Sequence, residues 1–111
     1  MKNLEQHRAK NALKASVGTG AEGGDSVSKK VPAMIRENGF LGAMAFAKEK
    51  GAGYADVFNA IIAHLADIGQ LHGLPANFDG FLAGLCDADA ATLRAVTAES
   101  LAYLNYLRRF Q

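Results

Sequence analysis

Tryptophan is absent from this chain, cysteine occurs once and proline twice. The single cysteine, Cys86, cannot close an internal disulfide, so the fold has to rest on a packed core. Long apolar runs are missing as well. The longest, Phe40 to Ala47 with its glycine counted, falls far short of the roughly 20 residues that span a bilayer. Met1 to Gln6 lacks the apolar stretch of a secretory signal, so a cytoplasmic location is expected. Nowhere do apolar and polar residues alternate between turn residues, which leaves no basis for a sheet. Twenty-one alanines and only two prolines point to helices instead. With 111 residues, half of them apolar, the chain can bury one core of ordinary size. The expectation is an all-α fold, a compact bundle of five or six helices forming a single domain over residues 1–111.

Charge is nearly balanced overall, at +1, but unevenly placed. Residues 1–50 carry nine Lys/Arg against five Asp/Glu, whereas 51–111 carry three against six. Such polarity fits an anionic partner at the N-terminal half, and fits an ordinary solvated surface equally well.

Periodicity places the helices. From Asn3 to Val17, Ala9, Leu13 and Val17 share one face, with Asn3, His7, Lys10 and Lys14 on a separate polar stripe. A glycine-rich tract over about 18–24 then reads as a flexible loop. Its GxGxxG match, Gly18 to Gly23, follows a helix instead of a strand and is not a dinucleotide fingerprint. Asp25 or Ser26 suits the cap of a second helix with Val27, Val31, Met34 and Ile35 inward, stopped by Asn38-Gly39. Pro32 implies that this helix either starts or kinks there. Phe40 to Lys50 reads as a third helix, apolar around most of its circumference through Phe40, Leu41, Met44, Ala45 and Phe46. The fourth, Tyr54 to about Ile68, has the cleanest pattern: Tyr54, Val57, Phe58, Ile61, Ile62 and Leu65. Phe78 to Cys86 reads as a short fifth helix, with Phe78, Phe81, Leu82 and Leu85 inward. A last helix, capped by Asp87 or Asp89 and reaching about Phe110, turns Leu93, Val96, Thr97, Ser100, Leu104 and Leu107 inward.

Catalytic and metal-binding patterns are scarce. Cys86 sits at the end of an apolar helix, where an inert packed thiol is expected. His7, His64 and His72 are the only histidines; His64 with Asp67 supplies two ligands where a stable site needs three or four, so a solvated histidine is the default. Asp87 and Asp89 are explained by helix capping. No enzyme activity, catalytic residue, metal or cofactor is expected.

Three stretches carry a family resemblance. Gln6 to Ala12, Lys30 to Phe40 with Ala45-Phe46 after it, and Thr97 to Leu101 continuing to Leu107-Arg108-Arg109-Phe110 together resemble the small helical subunit of the Cmr complex, the type III-B CRISPR effector. The resemblance covers nearly the whole chain. It implies a noncatalytic subunit in antiviral defence that stacks with copies of itself beside the crRNA-holding backbone subunits and the large subunit, and helps to form the channel for target RNA. Carried over by position, it implies RNA-facing roles for Arg8, Lys10, Lys14, Lys29, Lys30, Arg36, Arg108 and Arg109. Each has an ordinary alternative: Arg8 paired with Glu5, Lys30 with Glu37, Arg109 complementing the end of its helix. Lysines and arginines on rigid helices would track phosphates without reading bases, as a guide-directed complex requires. The alternative from another class is a helical protein-interaction module with no nucleic-acid role. Tyr103 and Tyr106 are left open, with a subunit interface as one use.

Overall fold

The computed structural model describes residues 2–19, 24–51 and 53–110, and the side chains of all of these except 16–19 and 24–26. Among the described residues five helices form: α1 (Leu4–Thr19), α2 (Gly24–Lys50), α3 (Tyr54–Asp67), α4 (Phe78–Asp87) and α5 (Ala90–Phe110). No strand occurs among the described residues. Gly39 breaks α2 into two arms, because its φ of 81° and ψ of 161° are inaccessible to most residues with a side chain. The stop expected at Asn38-Gly39 is therefore a sharp bend between the second and third expected helices. Pro32 neither starts nor breaks the first arm, which is helical from Gly24 up to the bend. The outer parts of the expected glycine loop, Gly18-Thr19 and Gly24, belong to helices; residues 20–23, and the side chains of Val17, Asp25 and Ser26, lie outside the described part.

Helix α3 is the central element, packed against each of the other four. Its expected inward residues, Tyr54, Val57, Phe58, Ile61, Ile62 and Leu65, are all buried. They meet Val27, Val31, Ile35, Phe40, Ala43, Met44 and Ala47 of α2 and Val96, Tyr103, Leu104 and Leu107 of α5 in one apolar core. Phe40 packs edge-on against Phe58 at 5.5 Å, and Phe58 against Phe78 at 6.2 Å. The second arm of α2 is less enclosed than its composition suggests. Phe46 is 43% exposed and only leans edge-on against Tyr54 at 5.2 Å, and Ala45 is exposed. Ala43 and Ala47 fill the inward face instead, where their small side chains let the helices approach.

Asn77 caps α4, its Oδ1 accepting from the Gly80 N–H at 2.7 Å, and Asp89 caps α5, accepting from the Thr92 N–H at 2.8 Å. The connection from α3 returns closely over α4. A Cβ at Gly80 would come within 2.8 Å of Pro75, and one at Gly84 within 2.6 Å of Leu74. Cys86 of α4, expected as a packed thiol, is exposed. Helix α1 packs on α5 and α3, and α2 packs on the same two. The basic residues of α1 and α2 are thus held to a shared scaffold.

Candidate nucleic-acid interface and the polar cluster behind it

The described side chains of α1 bring little apolar surface to the bundle. Ala12 is buried and Ala15 partly so, while Leu13, expected inward, is 58% exposed. The helix is turned so that Arg8, Asn11 and Ala12 face α3 and α5. Polar contacts fasten it. Arg8 donates from Nε and Nη2 to the two oxygens of Glu99, at 2.8 and 2.7 Å. Glu99 is only 6% exposed, and its Oε2 also accepts from His64 at 2.9 Å. Asn11 donates from Nδ2 to Asp67 Oδ2 at 3.0 Å and faces His64 Nδ1 at 2.8 Å. The same amide nitrogen serves both, so Nδ1 must be the acceptor and Nε2 must carry the proton given to Glu99. His64 is therefore a neutral imidazole in one fixed tautomer. The Tyr103 ring stacks on it, centroids 4.4 Å apart and 10° from parallel.

His64 was expected in solvent and is fully enclosed, because its position falls beside the apolar stripe of α3. Tyr103 is likewise a core residue, its hydroxyl pKa raised by burial and its O–H directed at the Asn11 carbonyl oxygen at 3.4 Å. Glu99 is not among the inward residues expected for the last helix, yet it is buried. A signal existed: Val96, Glu99, Ser100, Tyr103, Leu104 and Leu107 repeat the spacing of a buried helical stripe, with a carboxylate in it. A charge at a core position demands a partner. No local spacing says that the partner is Arg8.

The cluster ties stability to pH. Burial lowers the His64 pKa from its ordinary 6.5, against the opposing pull of Glu99. Burial raises the Glu99 carboxyl, but the hydrogen bonds and charges of Arg8 and His64 outweigh it and leave the group below its ordinary 4.5. Both groups bind protons more readily in the unfolded chain. Their contribution is complete above about pH 6.5 and is lost as pH falls, first through His64 and then through Glu99. The melting temperature should thus decline from about pH 7.5 to about pH 5, and His64→Gln should flatten the upper part of that decline. A flat profile in the wild-type protein would show that His64 is not held neutral.

The eight basic residues implied by the resemblance separate into two kinds. Arg8 is half-buried and committed to Glu99, not to Glu5, whose Oε2 instead accepts from the Tyr106 hydroxyl at 3.2 Å. Lys10 and Lys14 are exposed on α1, Lys29, Lys30 and Arg36 on the first arm of α2, and Arg108 and Arg109 in the last turn of α5. Helices α1 and α2 each pack on both α3 and α5, which fixes their cations on one scaffold. Lys48 pairs with Asp79 at 2.6 Å in an exposed bridge that contributes little.

Two grooves complete the surface of α5. One, of about 560 Å³, is lined by Gly39 and Phe40 at the bend of α2 and by Leu93, Arg94, Thr97, Ala98 and Leu101. The other, of about 360 Å³, is lined by Asn105, Tyr106 and Arg109. Among the described residues no group of three or more His, Cys, Asp or Glu is placed to hold a metal ion, and no helix is long and apolar enough to cross a membrane. No curated protein and no solved structure matches the chain. The family model described as CRISPR-associated protein (Cas_Cmr5) matches residues 4–111. Matched over almost its full length, this helical chain belongs to the Cas_Cmr5 family and is a small subunit of a Cmr, type III-B, CRISPR complex.

Proposed function

We propose that the protein is a noncatalytic assembly subunit that lines the target-RNA channel of its complex with exposed cations and stacks with copies of itself beside the crRNA-holding subunits. The reading rests on family membership together with one observation about charge. Seven of the eight implied cations, Lys10, Lys14, Lys29, Lys30, Arg36, Arg108 and Arg109, are exposed on helices anchored to one core. Arg8 is set apart from the contact set because a buried carboxylate already engages its guanidinium. Cations spaced along rigid helices suit a phosphate backbone and read no bases, while pairing with the guide supplies sequence.

The test is the purified complex carrying Lys29→Glu and Arg36→Glu together. Target RNA should bind at least about tenfold more weakly, with a salt dependence shallower by about 0.7 in log–log slope for each lost contact. Unchanged affinity and slope would overturn the reading. The rival, a protein-interaction module without an RNA role, draws support from the groove at the bend of α2, which is almost wholly apolar in its lining. Under that reading the double reversal leaves RNA binding intact, and substitutions in the groove release the subunit from the complex.

A further inference from the structure

The end of α5 carries a feature that phosphate contacts alone do not use. Asn105, Tyr106 and Arg109 are three and four residues apart around Arg109, so they are neighbours on one helical face. Together they line an open surface notch of about 360 Å³. Of the three tyrosines, Tyr54 and Tyr103 are buried, and only Tyr106 is partly open. Its hydroxyl donates to Glu5 on α1 at 3.2 Å, which ties the far end of the ring to a second helix. Burial and the Glu5 carboxylate hold that hydroxyl protonated, against Arg8 and Arg109. The ring is therefore an aromatic wall already fixed in place, one that loses little freedom when something lies against it.

The charge around the notch is positive. Arg108 and Arg109 are both exposed in the last turn of α5, and two guanidinium charges exceed the roughly half-unit negative charge of a helix C-terminus. Glu99, the nearest buried carboxylate of the cluster, is engaged by Arg8 and His64. Glu5 keeps its negative charge while accepting from the neutral Tyr106 hydroxyl, so the two guanidinium groups outweigh it and the helix end by only about half a unit. An aromatic wall, an exposed guanidinium and a side-chain amide in one notch match the three parts of a nucleotide: base face, phosphate and base edge.

We propose that the notch of Asn105, Tyr106 and Arg109 receives one unpaired nucleotide of an RNA strand, with its base stacked on Tyr106 and its phosphate paired with Arg109. The proposal rests on the channel reading above and adds to it a stacking contact that salt does not weaken. Stacking on an aromatic ring is sequence-tolerant, because every base has a π face. The notch would hold one nucleotide out of register with its neighbours without selecting a sequence.

The experiment uses the purified complex and target RNA in four forms: wild type, Tyr106→Phe, Tyr106→Leu and Arg109→Gln. Tyr106→Leu should weaken RNA binding by about 5- to 100-fold with an unchanged salt slope, since it removes stacking and no charge. Tyr106→Phe keeps the ring, loses the Glu5 bond, and should bind nearly as well as wild type. Arg109→Gln should reduce the slope by about 0.7. A scan of single abasic positions across the RNA should find positions, one for each stacked copy, at which the gap between wild type and Tyr106→Leu narrows. If Tyr106→Phe is as weak as Tyr106→Leu, the hydroxyl and not the ring matters, and stacking is overturned. If Tyr106→Leu binds like wild type while the Lys29 and Arg36 reversal still weakens binding, the notch is wrong and the channel reading stands. If neither variant weakens binding, both fail.

Discussion

Arg8→Ala is expected to destabilise the isolated protein by about 3–5 kcal/mol, the usual consequence of removing one partner from a buried ion pair. Glu99 is 6% exposed and accepts both bonds of the Arg8 fork, so truncation leaves a carboxylate without its cation. The remaining donor, His64, is neutral and supplies one bond. For a chain of this size the loss corresponds to a fall of roughly 10–20 °C in melting temperature. The dependence of α1 on this cluster makes the effect large, since Ala12 is its one fully buried apolar side chain among the described residues. A second variant separates charge from packing. Arg8→Met, His64→Leu and Glu99→Leu together remove every charge at once and should cost far less than Arg8→Ala alone. If Arg8→Ala leaves the melting temperature unchanged but weakens RNA binding in the complex, Arg8 belongs with the RNA-facing cations after all.

Phe58→Ala should cost about 3–5 kcal/mol, and Phe46→Ala clearly less, as read from denaturant midpoints at constant slope. Phe58 is wholly enclosed and holds edge-on contacts to Phe40 and Phe78 from two other helices, so its removal leaves a cavity at the centre of the bundle. Phe46 keeps 43% of its surface in water and touches Tyr54 alone among the aromatic rings. On sequence the two are difficult to rank, and Phe46 in an apolar run even looks the more buried. Equal losses would mean that the second arm of α2 is more enclosed than its exposure indicates.

Local signals carried much of the fold. Tyr54 to Leu65 repeat at helical spacing without interruption, and every one of those positions is buried. Asn38-Gly39 and Asp89 mark a bend and a cap because the residues themselves supply a left-handed backbone and a side-chain acceptor. Helix α1 was harder, because alanines and polar residues surround it and no stripe dominates. Ala9 and Leu13 made one reasonable inner face, yet the polar Arg8 and Asn11 turned out to face inward. Among the cations, exposure follows from composition, whereas the separation of Arg8 from the other seven does not.

The sequence alone determined that the chain is helical, where most helices begin and end, and which family it joins, since capping, periodicity and motif spacing act between residues a few positions apart. Only the tertiary structure decided that His64 is neutral and enclosed, that Tyr103 is core, and that Arg8 is spent on Glu99, 91 residues away. A buried charge must find a partner of opposite sign somewhere in the fold. Which partner it finds depends on how whole helices pack, and residue spacing within one helix holds no record of that.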